Sequence, residues 1–220
     1  MIRTLLVAAL FVLPLPSMAS AGNGNLNGLV RGTYAENSIL HCLQSSTGFA
    51  GYAGQPNAYE YTVQVQALVR YNGDGTGNII SGTTTTIGMF GGPGRLGNGA
   101  SGPLGFLNMT SLSGDTTYTV GPDRSIVLTP VNVTSTEIVG PNVNTPLGTK
   151  VLTGIRIQGY VSDDGRILSL STAVPNPPQL AVETVTAGDG SVFKRVCSRT
   201  RTDTRIENGS RESASPFSRD

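Results

Sequence analysis

The sequence predicts an all-β protein, a single closed antiparallel β-barrel of about eight strands with a disordered C-terminal tail. Three observations favour this fold class: recurrent glycine- and aspartate-rich turns, runs of β-branched residues between them, and a cysteine in both the first and the last run. Turns of the tight-hairpin type occur at residues 71–75, 121–124, 162–166 and 187–191. Four hairpins correspond to about eight strands.

The N-terminal residues 1–21 have the pattern of a secretory signal peptide. Arg3 precedes an apolar stretch over residues 5–15, which is too short to span a bilayer, and small residues follow at positions 19–21. Cleavage is expected before Gly22. We therefore predict a periplasmic or secreted protein with no integral membrane segment once the signal peptide has been removed.

The composition indicates one domain and argues against nucleic acid as a partner. Of the 220 residues, 38% are hydrophobic, 13% are charged and 29 are glycine, whereas about a quarter of an average chain is charged and about 7% is glycine. A chain of this length supports one barrel domain, which we place at residues 22–198. The net charge is only +1 and no basic patch is interleaved with aromatic residues, so nucleic-acid binding is not expected.

Cys42 and Cys197 are the only cysteines, and in an exported protein we expect them to form a disulfide. A disulfide holds two Cα atoms within about 7 Å of each other. The first and last strands must then be neighbours, which is the arrangement that closes a barrel. Two free thiols or an intermolecular bridge are the alternative.

In the first half of the domain, a leader, a strand and a polar loop are predicted at residues 22–28, 28–43 and 44–58. Residues 59–71 alternate apolar odd positions with polar even positions, the period of a strand with one solvent-facing side. The chain then returns through residues 77–86. A glycine-rich irregular loop follows at residues 88–107, and loops of that length are usually functional or disordered.

In the second half, strands of ordinary length are predicted at residues 115–120, 125–133, 150–161, 166–173, 180–187 and 191–198. Residues 134–149 contain two prolines and are interpreted as a loop. Residues 199–220 contain five arginines, four acids and many serines and threonines. That composition predicts a solvated, disordered tail.

The apolar stripe of the strand at residues 59–71 has two interpretations. Its members are Tyr59, Tyr61, Val63, Val65, Ala67, Val69 and Tyr71. In a soluble barrel such a stripe faces the interior, whereas in an outer-membrane barrel it faces lipid. Membrane barrels carry girdles of aromatic residues, but this chain has no tryptophan and only 6% aromatic residues. We therefore favour the soluble barrel.

Few residues point to catalysis or metal binding. His41 is the only histidine, which excludes a three-histidine zinc site and a two-histidine iron site. We expect His41 to be a partly exposed residue of a strand. Residues 72–76 lack the acidic ladder of a calcium loop and are interpreted as a hairpin. The acids that are too scattered to assign as an acid–base pair are Glu36, Glu60, Glu137 and Glu183. No catalytic residue, metal or cofactor is predicted.

Several short motifs carry a family likeness. They are Gly32-Thr33-Tyr34, the hairpin at residues 71–77, Thr117-Tyr118-Thr119-Val120 and the hairpin at residues 159–165. Over residues 28–198 the pattern resembles the calycin-like eight-stranded barrels of exported bacterial proteins, and it is similar to the allene oxide cyclase barrel and, more distantly, to lipocalins. The lipocalin Gly-x-Trp motif is absent, and the catalytic residues of the cyclase have no assigned counterparts here. The resemblance implies a barrel that encloses an apolar ligand.

We therefore expect the barrel to bind a small apolar molecule. A binding cavity needs mostly apolar walls with a few polar groups, and tyrosine supplies both. The predicted lining residues are Tyr34, Tyr59, Tyr61, Val63, Val65 and Tyr71.

Two alternatives remain open at this point. If the same residues fill a solid core, the protein would be a non-enzymatic module that binds a cell-envelope protein through loops 44–58 and 88–107. The contact residues would then be the apolar loop tips Phe90, Leu104 and Phe106. A cyclase-type enzyme, which would need a buried carboxylate or tyrosine beside a cavity, ranks third, so a non-enzymatic role is favoured.

Overall fold

The computed structural model describes residues 25–49, 58–89, 107–173 and 181–206. The predicted signal peptide at residues 1–21 and the predicted loop tips Phe90, Leu104 and Phe106 lie outside the described residues. Ten strands and two short 3₁₀ helices make up this part of the chain. The strands are β1 (Arg31–Ser45), β2 (Ala58–Asn72), β3 (Thr76–Met89), β4 (Leu107–Val120), β5 (Ser125–Val139), β6 (Thr149–Thr153), β7 (Ile157–Val161), β8 (Ile167–Thr172), β9 (Val182–Ala187) and β10 (Val192–Arg205); the 3₁₀ helices are Asn27–Leu29 and Pro146–Gly148.

All strand pairings are antiparallel, and the sheet closes on itself. Strands β1 to β5 pair in chain order, and β10 returns to pair with β1 from Tyr34↔Arg205 to Ser45↔Lys194. Strands β6 and β7 both pair with β5, while β8 and β9 both pair with β10. The ten strands therefore occupy eight positions in the ring, and the predicted all-β closed barrel of about eight strands is confirmed.

The two ends of the barrel differ in how the strands are connected. At the lower end, defined here by residues 73–75, 121–124 and 162–166, three tight turns join β2 to β3, β4 to β5 and β7 to β8. The upper end holds the turn between β9 and β10 at residues 188–191 and the 3₁₀ helix Pro146–Gly148.

Each of the four predicted turns contains an aspartate that fixes its geometry. The Oδ1 atom of Asp74 accepts hydrogen bonds from the backbone N–H and the hydroxyl of Thr76, at 2.9 and 2.7 Å. Asp123, Asp164 and Asp189 accept the equivalent backbone bond from the residue two positions later. These hydrogen bonds lower the pKa of all four carboxyl groups. The side chain thus replaces part of the backbone pairing that a tight turn leaves unsatisfied.

The disulfide between Cys42 and Cys197 is present. The two residues are directly paired across β1 and β10, with Cα atoms 4.1 Å apart. The bond therefore crosses the ladder that closes the ring, as the sequence predicts.

The apolar stripe of β2 faces the barrel interior. Val63 and Val69 are buried, whereas the intervening Gln64, Gln66 and Arg70 are exposed. The inward-facing interpretation is therefore the correct one, and the outer face of β2 is polar.

The lower half of the interior is filled by three tyrosines. The ring of Tyr71 packs edge-to-face against Tyr34 and Tyr118, with centroid distances of 5.2 and 5.3 Å. Fully buried Val69, Ile126, Leu128 and Leu168 complete this core. Aromatic pairs in this geometry contribute about 0.5–1.5 kcal/mol each beyond their burial.

The N-terminal segment closes the lower end of the barrel. The Oδ1 atom of Asn27 accepts a hydrogen bond from the backbone N–H of Val120 at 2.8 Å, and the Nη2 atom of Arg205 donates to the carbonyl of Leu29 at 2.6 Å. Gly165 has a positive φ of 66°, and a Cβ there would lie 2.1 Å from the Leu29 carbonyl oxygen. Only glycine therefore allows the turn and the N-terminal segment to approach so closely.

Several predicted boundaries are wrong: the strand predicted at residues 115–120 begins at Leu107, and the strand predicted at residues 150–161 is two strands, β6 and β7. Strand β10 continues to Arg205, so residues 199–205 belong to the barrel and not to a tail that begins at residue 199. The physical reason is that Arg199, Arg201 and Asp203 are buried and ion-paired. Strand β5 likewise continues to Val139, well into the loop predicted at residues 134–149. Residues 207–220 lie outside the described residues.

Candidate functional site

A cavity of about 160 Å³ lies inside the barrel, above the tyrosine core. Its apolar wall includes Leu40, Val63, Val65, Val133, Leu152 and Val185. Strands from all sides of the ring contribute to it, so the cavity is a property of the closed barrel and not of one hairpin. The interior is thus solid in its lower half and hollow above.

The structure divides the six predicted lining residues into two groups. Tyr59, Tyr61, Val63 and Val65 line the cavity. Tyr34 and Tyr71 lie in the lower core instead, because both are near the lower ends of their strands. The Tyr34 hydroxyl donates to the carbonyl of Gly165 at 2.5 Å, and the Tyr71 hydroxyl donates to Asp203 Oδ2 at 2.8 Å.

The two tyrosines of the cavity wall share a glutamine. The Nε2 atom of Gln44 donates to the Tyr59 hydroxyl at 2.5 Å, and the Tyr61 hydroxyl donates to Gln44 Oε1 at 3.1 Å. Their rings lie 5.6 Å apart. Burial, together with the neighbouring Tyr61, raises the pKa of Tyr59, so its hydroxyl stays protonated at neutral pH.

A row of arginines on β10 forms the polar wall of the cavity. Arg195, Arg199 and Arg201 alternate with outward-facing residues and are all buried; we call these three residues the arginine row. Buried guanidinium groups require carboxylate or hydrogen-bond partners. The carboxylates that supply them are Glu183 on β9, Glu36 on β1 and Asp203 on β10 itself.

Glu183 serves two arginines at once. Its Oε2 atom lies 2.6 Å from Arg195 Nε, and its Oε1 atom lies 3.3 Å from Arg199 Nη2. Burial lowers the pKa of Arg199, and the Glu183 charge only partly opposes this effect. For Arg195 the same burial is outweighed by Glu183 and Tyr61, and the pKa is raised. Glu183 is therefore shared between two guanidinium groups, and its contact with Arg199 is the longer one.

Arg201 has the opposite arrangement, because one guanidinium group contacts two carboxylates. Its Nη1 atom lies 3.1 Å from Glu36 Oε2, and its Nη2 atom lies 2.6 Å from Asp203 Oδ2. Ser38 also donates to Glu36 at 3.1 Å. Burial raises the pKa of Glu36, and the Arg201 charge opposes that rise.

The wall opposite the arginine row carries neutral polar groups. Strand β4 stands across the ring from β10, with three strand positions between them on either side. On β4, Asn108 Nδ2 donates to Glu137 Oε2 at 3.3 Å. The hydroxyls of Thr84, Thr110 and Ser135 form a chain with distances of 2.7 and 2.9 Å.

Two buried polar atoms of the described residues have no hydrogen-bond partner, and the residues of both line the cavity. They are Arg199 Nη1, a donor, and Asn108 Oδ1, an acceptor. The amide orientation of Asn108 follows from its neighbour, since a carboxylate accepts hydrogen bonds and Nδ2 must face Glu137. Buried polar atoms without partners are rare in proteins and call for an explanation.

The charged residues among those lining the cavity are mostly basic. The basic residues are Lys150, Arg195, Arg199 and Arg201, and the acidic residue is Glu36. Burial lowers the pKa of Lys150, which the Glu137 charge partly offsets. The carboxylates of Glu183 and Asp203 balance the arginines from outside the cavity lining, as Glu137 does for Lys150.

The remaining candidates of the sequence lie away from the cavity. His41 is exposed on the outer face, where its Nδ1 atom lies 3.1 Å from the Thr62 hydroxyl. Glu60 is also exposed. Nowhere in the described ranges do three His, Cys, Asp or Glu side chains group as a metal site, and none of the helices described there is long and apolar enough to cross a membrane.

Sequence reasoning missed the arginine row. Arginines and acids at residues 199–205 resemble a solvated tail in composition, but the threonines at 200, 202 and 204 alternate with them. A period of two with threonine on one side is the pattern of a strand. That pattern, read together with inward positions held by Glu36 and Glu183 in neighbouring strands, indicates a buried ionic wall.

Comparison with known proteins finds no match: no protein-family model, curated protein or solved structure is significantly similar to this chain.

Proposed function

We propose that this protein is an exported barrel that binds a small, largely apolar molecule in its interior. The observation that carries the proposal is the cavity of about 160 Å³, because a barrel of eight strands is narrow enough for side chains to fill completely. Here they fill only the lower half. An apolar cavity of about 150 Å³ is large enough to bind benzene, so the size suits a molecule with one ring.

The lining supports binding of a molecule with both apolar and polar parts. Ligand sites combine apolar walls with a few placed polar groups that fix orientation. The valines and leucines of β2, β5, β6 and β9 supply the apolar wall, while the arginine row and the Tyr59–Gln44–Tyr61 hydrogen bonds supply the polar groups.

Export and a calycin-like relationship are part of the same proposal. The Cys42–Cys197 disulfide supports an oxidising compartment, since structural disulfides persist there and are rare in the cytosol. An eight-position antiparallel ring that closes between its first and last strands supports the calycin-like interpretation.

Filling the cavity by mutation tests the proposal. The substitution Val65→Phe places a larger side chain in the cavity wall, and Gln66→Phe, one residue later on the exposed face, is the matched control. We expect saturation-transfer NMR to detect benzyl alcohol or indole bound to the wild type and to Gln66→Phe but not to Val65→Phe. Absence of binding to the wild type, or equal binding to Val65→Phe, would contradict the proposal.

A cyclase-type enzyme is a second candidate, favoured by Glu36. This buried carboxyl lines the cavity, and its pKa is raised, which is the feature that such chemistry needs. If the protein is an enzyme, Glu36→Gln should abolish turnover of a bound substrate and leave its binding intact. Loss of binding and turnover together would instead assign Glu36 to the support of Arg201.

A further inference from the structure

Arg199 Nη1 is a buried cationic donor with no hydrogen-bond partner among the described residues, and Arg199 lines a cavity whose wall combines apolar and polar side chains. The side chain is only 6% exposed. We infer that the ligand is a small carboxylic acid, bound with its carboxylate on Arg199 Nη1 and its apolar body against the valines and leucines of the cavity wall. This inference rests on the proposed function and specifies its ligand class.

The charge around Arg199 supports an anionic group. Arg199 shares its one paired carboxylate, Glu183, with Arg195, whereas Arg201 contacts both Glu36 and Asp203. Lys150 adds a further basic group to the same cavity wall. Glu137, whose charge partly offsets that of Lys150, is not among the lining residues. A carboxylate at this position would give Arg199 Nη1 an ionised acceptor, and hydrogen bonds between ionised partners are the strong ones.

The geometry of the guanidinium group also favours a carboxylate. Arginine presents its N–H donors in a planar fork, which matches the two oxygens of a carboxylate. Nη2 of Arg199 donates one hydrogen bond to Glu183 Oε1 at 3.3 Å. Nη1 remains as the donor for a second acceptor within the cavity.

Asn108 Oδ1 specifies the other end of the ligand. It is an acceptor without a partner in the part of the chain that the structure describes, and β4 stands across the ring from β10. A hydroxyl group on the ligand would satisfy it. The complementary ligand therefore carries a carboxylate at one end, a hydroxyl at the other and an apolar ring or short chain between them.

The cavity volume limits the size of that ligand. A volume of about 160 Å³ is close to that of a cavity that holds benzene. Benzoate and its hydroxylated derivatives are of this order. Benzoate, its neutral analogue benzyl alcohol, and the 2-, 3- and 4-hydroxybenzoates are therefore the probes of choice.

The first test compares benzoate with benzyl alcohol by isothermal titration calorimetry at pH 7, on the full chain after export. We expect benzoate to bind at least tenfold more tightly to the wild type. The substitution Arg199→Met should remove this preference and leave the affinity for benzyl alcohol within twofold. Arg70→Met, on the exposed face of β2, is the matched control and should retain the preference.

The outcomes separate this inference from the proposed function. If benzyl alcohol binds and benzoate binds no better, the cavity binds ligands and the carboxylate inference is wrong. If neither benzoate nor benzyl alcohol binds, the proposed function itself is contradicted, and the carboxylate inference is contradicted with it. Because Glu183 keeps Arg195 as a partner, Arg199→Met should remain folded, and circular dichroism checks this. Should it unfold, Arg199→Lys is the second variant, because it keeps the charge but lacks the planar fork: a reduced preference for benzoate supports the inference, and an unchanged preference contradicts it.

The second test concerns the hydroxyl group. At least one hydroxybenzoate isomer should bind the wild type at least fivefold more tightly than benzoate, and Asn108→Leu should abolish that gain while benzoate itself binds as before. Equal affinities of all three isomers and benzoate for the wild type would overturn the assignment of Asn108.

Discussion

Cys42 and Cys197 are direct partners in the β1–β10 ladder, and their Cα atoms are 4.1 Å apart. The disulfide therefore joins the first and last strands of the barrel at a point where the backbones already pair. It links residues that are 155 positions apart in the sequence. A cross-link over so long a loop restricts the unfolded chain much more than it changes the folded one.

Replacing both cysteines with serine should lower the free energy of unfolding by several kcal/mol. The chain-entropy model gives about 5 kcal/mol for a loop of this length as an upper figure. Urea denaturation of the double variant and of the oxidised wild type would measure the difference. The wild type in reducing agent is the control and should behave as the variant does; equal midpoints for oxidised and reduced protein would contradict the prediction.

Tyr71→Phe should destabilise the barrel through Asp203. The Tyr71 hydroxyl donates to Asp203 Oδ2 at 2.8 Å and accepts from Arg201 Nη2 at 2.9 Å. Removing a partner from buried charged groups costs about 1–3 kcal/mol. Thermal or urea unfolding would detect this loss, and Tyr160→Phe, with 64% of Tyr160 exposed, should be neutral. A loss of equal size in both variants would refute the role of the buried hydroxyl.

Glu36 should make the barrel less stable as the pH rises above the acidic range. Its pKa is raised in the folded state from the ordinary value of 4.5, so between the two pKa values the folded protein binds more protons than the unfolded one. By linkage, the contribution of Glu36 is greatest below pH 4.5 and falls as the pH rises through the folded pKa. Urea unfolding over a pH series should show this slope in the wild type.

The substitution Glu36→Gln should remove that part of the pH dependence, because an amide does not titrate in this range. Glu60→Gln, on the exposed face of the neighbouring strand, should leave the slope unchanged. If the pH profiles of Glu36→Gln and the wild type superimpose, Glu36 titrates normally and the raised pKa is wrong.

Truncation should locate the true end of the barrel. A chain that ends at Ser198 lacks Arg199, Arg201 and Asp203 and most of the β1–β10 ladder, so we expect it not to fold. A chain that ends at Ile206 retains all of these and should be as stable as the full chain. Circular dichroism and thermal unfolding of the two truncated chains would decide between the predicted and the observed boundary.

The hairpins could be predicted because their determinants are local. Each turn is fixed by an aspartate that bonds to the residue two positions on, as Asp189 does to Ser191 at 2.9 Å. The alternation of β2 is local as well, since side chains in a strand alternate between faces. The pairing of the first strand with the last could be predicted from the disulfide, because a chain with two cysteines has only one possible intramolecular disulfide.

The arginine row and the cavity could not be predicted in the same way. From the sequence alone, Arg199 is assigned to the tail. Its burial depends on Glu183 of another strand, whose Oε1 atom lies 3.3 Å from Arg199 Nη2. Charged residues are almost never buried without a partner, and the sequence does not state the partner. The cavity depends on which side chains meet at the centre of the ring. Tyr34 and Tyr71 share the inward face with Tyr61, but only Tyr61 lies at the height of the cavity.

Strands β6 and β7 share one position in the ring, and β8 and β9 share the next. The ladders between these two positions are short. In the described part of the chain, β6 pairs with β9 over only four residue pairs, from Lys150↔Ala187 to Thr153↔Thr184, and β7 pairs with β8 over five. By contrast, β1 pairs with β2 along their full length, from Arg31↔Asn72 to Ser45↔Ala58. Local opening is easiest where ladders are short. We therefore expect native-state hydrogen exchange to be fastest, among the paired strands of the described residues, in β6 to β9.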